Sequence, residues 1–257
     1  MVVKKGKSHV GPYFSNHQQA YNRRCPAWYD PGTIDGVRQL EEAASAIADE
    51  LHKNLVDPVR ARVCFQKYRL TRQAGWKQIE LMIYGVDYPA RQQLFPVTMA
   101  VLNGIAGVST AYFSVLSAHT VVPAHVGDTD GYFRVHLGLE VPAGLPACGL
   151  EVAGEARAWQ QGRCIAFNDA YYHTAWNNSD EQRIVLIVDI LRPEFHDQKL
   201  WVDAGVRATL YWSRLYGWLF PVVELLPRVV TRLIRPSFHW VAYGWHAVLK
   251  YHWRRFH

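Results

Sequence analysis

Arg134-Val-His136-Leu-Gly138-Leu lies inside a run of alternating residues, and Phe167-Asn-Asp169-Ala-Tyr-Tyr-His173 follows about forty residues later. Ten residues past His173 comes Arg183, which opens Arg183-Ile-Val-Leu-Ile-Val-Asp189. Two imidazoles on neighbouring strands can hold a metal and leave coordination positions open for a co-substrate and oxygen. An arginine offers a planar fork to the far carboxylate of a dicarboxylic keto acid. His136 and His173 with Arg183 therefore suit an oxygenase that uses iron(II) and takes its electrons from a 2-oxo acid.

The elements that must carry these residues are mostly strands. Side chains alternate faces along a strand, so Arg134, His136, Gly138 and Glu140 share one face. Phe133, Val135, Leu137, Leu139 and Val141 share the other and suit a core. From about residue 60 to 195, β-rich runs alternate with Gly, Pro and Asp turns, the pattern of a sandwich or jelly roll. Apolar residues from Val37 to Leu55 recur at three-to-four spacing and predict a helix over 36–55 with Asp35 as its cap. Residues 1–27 are polar and basic without a period, which predicts a loose arm. The sequence thus divides into an arm over 1–27, a β-barrel domain with flanking helices over 28–198, and a helical C-terminal segment over 199–257.

A chain of 257 residues with 49% apolar and 19% charged residues suits one sizeable core and argues against disorder. The four cysteines form no CxxC pair, which favours free thiols and a cytoplasmic setting. Neither a secretory leader nor a run of 18 uncharged apolar residues is present, so no spanning helix is expected. The net charge of +6 is concentrated at one end. Past Glu224 there is no acid, while Arg228, Arg232, Arg235, Lys250, Arg254 and Arg255 remain, interleaved with Trp212, Trp218, Trp240, Trp245 and Trp253. Such a basic, Trp-rich tail suits contact with a membrane surface, or helices packed on the barrel with solvated cations. Binding of nucleic acid through the tail ranks lower, because long apolar runs interrupt the cations.

The usual iron site of this chemistry adds a carboxylate two residues after the first histidine. Counting from His136, that residue is Gly138. Water could fill the position, Asp128 or Asp169 could substitute, or the site could hold no metal. A lone strand histidine is more often a satisfied core residue than a ligand. Asp169 reads best as a group that orients His173 through its other ring nitrogen. Trp159 and Trp176 read as core.

His136-Leu-Gly-Leu, Phe167-Asn-Asp-Ala-Tyr-Tyr-His173 and Arg183 resemble the aspartyl/asparaginyl β-hydroxylase family. The resemblance extends to Gly104–Ser114, His125-Val-Gly127 and Glu155-Ala-Arg-Ala-Trp159, and covers about 60–193. It implies a double-stranded β-helix (jelly roll, cupin-like) fold with an N-terminal helix, and hydroxylation dependent on iron(II), 2-oxoglutarate and O2. It also implies that His136 and His173 ligate iron, that Arg183 binds the 2-oxoglutarate C5 carboxylate, and that His125 and Arg134 lie near co-substrate or substrate. Glu151 stands where several peptide-hydroxylating members have arginine. The segments 152–159, 179–183 and 189–193 resemble the lipid A hydroxylase branch, which implies an acyl-chain substrate and a peripheral place on the inner face of the membrane. Two alternatives stand beside this one: β-hydroxylation of an Asp or Asn residue or carrier-bound amino acid, and a non-catalytic binding protein on a cupin-like barrel.

Overall fold

The computed structural model describes residues 11–15, 20–64, 75–210, 240–241 and 243–244. Its centre is eight consecutive strands divided between two antiparallel sheets. They are β4 (Val108–Leu116), β5 (Thr120–His125), β6 (Tyr132–Glu140), β7 (Cys148–Val152), β8 (Glu155–Arg157), β9 (Cys164–Phe167), β10 (His173–Asn177) and β11 (Arg183–Leu191). Three more strands, β1 (Trp28–Tyr29), β2 (Trp76–Ile83) and β3 (Val86–Asp87), extend the larger sheet. Its order is β1-β9-β6-β11-β4-β2-β3, and the smaller sheet runs β5-β10-β7-β8. Four strands of the larger sheet face four of the smaller in jelly-roll order, giving a mainly β, double-stranded β-helix fold.

The outer face of the larger sheet is covered by helices. α1 (Val37–Glu42) and α2 (Ala44–Val56) bury Val37, Leu40, Ala44, Ile47 and Leu51 at helical spacing. These pack on Val135, Leu137 and Leu139, the apolar face expected for β6. The single helix expected over 36–55 is interrupted at Ala43, and its cap is not Asp35. Gly36 occupies that position at φ 91°, with no side-chain cap. Glycine is needed there twice over, since a Cβ would sit 2.4 Å from Ile105 Cγ2. Glu50 of α2 ties in α5 (Pro96–Asn103). Its carboxylate accepts from Val97 N at 2.7 Å and Thr98 N at 2.9 Å, satisfying donors that the first turn leaves open.

The space between the sheets is lined by Leu150, Trp159, Phe167, Ala175 and Ile187, with the polar face of β6 opening into it. β6 has no room for a longer residue at Gly138, where a Cβ would lie 2.3 Å from the Gln160 carbonyl oxygen. Two backbone bonds clamp the residue: its N–H donates to Arg163 at 3.0 Å, and its carbonyl accepts from Gly162 at 2.8 Å. Gly138→Ala should cost roughly 2 kcal/mol through overpacking against backbone that cannot yield. Thermal unfolding followed by circular dichroism should show the midpoint falling by several degrees; an unchanged midpoint would contradict the clamp.

The described parts of the segment expected as a loose arm are anchored to the barrel. Phe14 is buried and bridges to Thr129. Arg24 pairs with buried Asp130, Nε to Oδ2 at 2.7 Å. Asn168 donates to the Tyr21 hydroxyl at 3.0 Å, and the Tyr171 hydroxyl donates to the Cys25 carbonyl at 2.7 Å. Residues 199–210 are helical and pack Val202 and Val206 against Phe14, Tyr132 and Phe195. Buried Asp203 accepts from the Tyr132 hydroxyl at 2.6 Å and from Lys199 at 3.0 Å. Most of the basic tail lies outside the described residues. Among the described residues no helix is long and apolar enough to cross a membrane. All four cysteines are free.

Candidate active site

Strands β5 and β10 pair antiparallel with His125 directly opposite His173. The two rings stand 4.2 Å apart, centroid to centroid, at 55°. Each Nδ1 lies 2.8 Å from a carbonyl two residues earlier in the chain, Pro123 O for His125 and Tyr171 O for His173. A carbonyl only accepts, so both Nδ1 atoms carry the proton in the neutral ring and both Nε2 atoms present a lone pair. Backbone alone thus fixes the tautomer that a metal requires.

His173 also meets Asp169, whose Oδ1 lies 3.3 Å from its Nε2. Burial holds the His173 imidazole down at about 4, helped by His125 and Arg134 and opposed by Asp169. The ring is neutral at physiological pH, so a lone pair faces a carboxylate oxygen. Two acceptors at that separation are relieved by a cation between them. Asp169 reaches this place because residue 127 is glycine: a Cβ there would fall 1.5 Å from Asp169 Oδ2. Asp169 therefore touches Nε2 of His173, whereas the sequence placed it at Nδ1, which Tyr171 O takes.

His136 behaves differently. The indole N–H of Trp159 donates to its Nδ1 at 3.3 Å, and the two rings are stacked at 12°. An indole can only donate, so His136 carries its proton on Nε2. That atom is buried and has no hydrogen-bond partner among the described residues. Burial first, then Arg134, Arg183 and His173, push its pKa well below the usual histidine value. His136 is thus a neutral N–H donor within the cavity it lines.

Arg183 is 2% exposed, its guanidinium 4.6 Å above the Trp159 ring. One NH group reaches the Ser114 carbonyl at 3.4 Å, and its buried Nε has no hydrogen-bond partner among the described residues. Burial draws its pKa down to about 10, so it stays charged. Arg91 and Arg134, by contrast, have carboxylates: Glu80 for Arg91, and Asp189 and Asp169 for Arg134. Arg134 holds Asp189 in a two-point bond of 2.8 and 2.9 Å and gives its remaining NH1 to Asp169. Among the described residues no carboxylate pairs with Arg183. A buried guanidinium without a carboxylate is costly and is suited to receive an anion.

All five residues singled out in the sequence, His125, Arg134, His136, His173 and Arg183, line one cavity. The cavity brings together His125 with His173, and His136 with Arg183 by way of Trp159. Arg134 lines the cavity with its charge already matched. Trp159 was expected only as core; it is 2% exposed and also joins His136 to Arg183. Asp189 was legible, since alternation along β11 puts it on the face of Arg183 and opposite Arg134. Trp176 is half-buried, its indole N–H bonded to Pro146 O at 2.8 Å.

Asp128 lies behind this cluster, half-buried beside Asp169, with Ser15 Oγ donating to it at 3.3 Å. Burial first, then Asp169, push its carboxyl up to about 7. An unfolded aspartate ionises near pH 4. Between about pH 4 and 7 the unfolded chain therefore releases a proton that the folded chain keeps, and stability falls across that window. Asp128→Asn should flatten this slope and melt higher than the parent at pH 8. Parallel melting curves for the two proteins from pH 4 to 8 would contradict the assignment.

The model of the aspartyl/asparaginyl beta-hydroxylase family matches residues 41–193, more than half of the chain. The chain belongs to that family. An ornithine lipid ester-linked acyl 2-hydroxylase from Rhizobium tropici is 33% identical over 172 residues, 65% of this chain and 61% of that protein. Human aspartate beta-hydroxylase domain-containing protein 2 is 35% identical over 49% of this chain and 36% of its own length. Mouse aspartyl/asparaginyl beta-hydroxylase is 27% identical over 68% of this chain and 24% of its own length. This family member thus spans 61% or less of each of these relatives. A Cupin 2 conserved barrel domain protein from Salinispora arenicola CNS-205 aligns over 52% of this chain and 95% of that one, at 12% identity and TM-score 0.32.

Proposed function

We propose that this protein is an iron(II)- and 2-oxoglutarate-dependent hydroxylase of an unactivated C–H bond in the acyl chain of a membrane lipid. The observation that carries the chemistry is the pair His125–His173, each with Nδ1 turned to a backbone carbonyl, and Asp169 Oδ1 3.3 Å from His173 Nε2. The donors suited to a divalent cation are the two imidazoles; the Asp169 carboxylate stands beside His173, and among the described residues no group of three His, Cys, Asp or Glu is arranged to hold a metal ion. His125 and His173 would hold iron, in place of the His136–His173 pair expected from the sequence. A residue two positions after His125 is Gly127, and Asp169 brings negative charge into the gap. When bound, iron(II), 2-oxoglutarate and O2 supply the oxidising power: the keto acid leaves as succinate and carbon dioxide, and one oxygen atom enters the substrate C–H bond.

The chain's own residues bind and orient. Arg183 receives the far carboxylate of 2-oxoglutarate, and the Nε2–H of His136 donates a hydrogen bond to the same co-substrate. Trp159 fixes both, stacking on the guanidinium and setting the His136 tautomer. Arg134, held by Asp189, keeps Asp169 beside His173. The apolar walls Val122, Leu150, Phe167, Ala175 and Ile187 exclude water from the reacting centre.

A lipid substrate is supported by the relative from Rhizobium tropici and by two exposed apolar residues next to the histidine pair. Val126 follows His125 and is 46% exposed; Tyr172 precedes His173 and is 64% exposed. The test is succinate formation by purified protein given iron(II), ascorbate and oxygen, with and without membrane lipid. Lipid should raise it several-fold, with a mass gain of one oxygen in the acyl chain. Succinate indifferent to lipid and raised by an Asp- or Asn-bearing peptide would move the substrate to that class. No succinate from iron-loaded, folded protein would end the hydroxylase proposal.

A further inference from the structure

A second cavity lies on the outer face of the smaller sheet. Its lining includes Arg23, Glu151, Ala153, Tyr171, Tyr172 and the backbone side of His173. Glu151 lies opposite Thr174 in the β7–β10 register, one residue after His173. Opposed residues share a face, so Glu151 and Thr174 look outward where His173 and Val152 look inward. His173 is the first residue of β10, so only a strand end separates this groove from the histidine pair.

The contents of the groove are unusual in three respects. Glu151 is half-buried, and among the described residues no cation pairs with it, Arg23 included. Tyr172 stands beside it with most of its ring in solvent. Of four non-glycine residues with left-handed backbone in the described chain, Arg23 at φ 55° and Ala153 at φ 54° both line this groove. That conformation costs an L residue energy and persists where surrounding structure holds it. Here the holding bond is Ala153 N–H to the Tyr172 carbonyl at 2.9 Å, which locks the β7–β8 turn to the loop that carries His173.

A carboxylate and an exposed aromatic ring are what a primary ammonium seeks, through an ion pair and a cation–π contact. The guanidinium of Arg23 at the rim suits an anionic group on the same molecule. We propose that this groove is a headgroup subsite, in which Glu151 and Tyr172 hold the ammonium of a zwitterionic aminolipid and Arg23 meets its anionic group. The proposal rests on the acyl-lipid function above. It adds that acyl carbons close to the headgroup, rather than the distal end of the chain, reach the metal pair around the end of β10.

The test uses the full chain and nonionic micelles carrying either phosphatidylethanolamine or its N-acetyl derivative. Binding is read by tryptophan fluorescence without metal, and turnover by succinate with iron(II) and 2-oxoglutarate. The parent should bind the free-amine lipid about 10-fold more tightly than the acetylated one, a typical effect for one charge-assisted bond. Glu151→Gln should bring that ratio close to one, and Glu151→Arg should invert it, with circular dichroism confirming the fold of both. An equal ratio in parent and Glu151→Gln would overturn the headgroup site even if lipid-stimulated succinate persists. A binding ratio that depends on Glu151 without any succinate would keep the subsite and overturn the hydroxylase function instead.

Discussion

Replacing Arg183 by Met should raise the KM for 2-oxoglutarate by about 100-fold or more while making the ligand-free protein more stable. The two effects have one origin. Arg183 is buried, charged and without a carboxylate partner among the described residues, its cost offset only by Ser114 O and the Trp159 ring. Removing one member of a buried charge pair in a complex typically costs 2–5 kcal/mol, or about 30- to several-thousand-fold in affinity. In the free protein the same change removes an uncompensated buried charge and leaves an apolar side chain of similar length, typically neutral or worth about 1–2 kcal/mol. For a chain of this size that is a rise of a few degrees in melting temperature. Arg183→Lys should fall between, with KM raised about 10-fold, because an ammonium cannot offer a two-point fork. Steady-state succinate formation against 2-oxoglutarate concentration gives the first effect, and calorimetry of the metal-free protein gives the second. A ligand-free melting temperature that drops by several degrees would mean that Arg183 is a structural residue satisfied within the fold.

The period of two along β6 and the continuous apolar run of β11 made the strands legible. Val135, Leu137 and Leu139 could only face a core, which left His136 on a polar face. Apolar spacing of three to four likewise revealed the helices under the larger sheet. The glycine cap at Gly36 was not legible, because it depends on Ile105 approaching from a distant loop, and the break at Ala43 leaves no mark in the apolar spacing. The anchoring of Phe14 and Tyr21 was hidden for a similar reason: single aromatic residues in a polar stretch leave no periodic signal. The five site residues were visible in the sequence, and the structure places all five in one cavity. Their partnerships were not, since those depend on which strands become neighbours. His125 meets His173 because β5 and β10 pair across a jelly-roll crossover, whereas β6, bearing His136, lies in the other sheet. Tautomers were equally out of reach, being set by the carbonyls of Pro123 and Tyr171 and by the Trp159 indole.

That division of labour among the histidines yields a second large effect. Alanine at His125 or at His173 should each lower iron(II) affinity by 100-fold or more, since either change leaves a single imidazole. Gln at His136 should leave metal affinity within a few-fold of the parent and raise the 2-oxoglutarate KM about 10-fold. The argument is one of protons. A neutral ring has one N–H and one lone pair, and the Trp159 N–H claims the lone pair on Nδ1 of His136. Its Nε2 then carries hydrogen and can serve a carboxylate but no cation. A hydrogen bond to a charged group contributes about 1.5–3 kcal/mol, the size of the KM effect expected when glutamine keeps only part of it. Asp169→Asn should sit between the two sets, weakening metal about 10-fold by removing charge next to His173 while keeping its shape. Cobalt(II) titration followed by visible absorption measures the affinities directly, without any turnover. Metal binding lost in His136→Gln and retained in His125→Ala would reverse the assignment and restore the pair His136–His173. If all three histidine variants lost metal equally, the two-by-two partition of the cavity would fail, and the Trp159 bond would have to yield when metal binds.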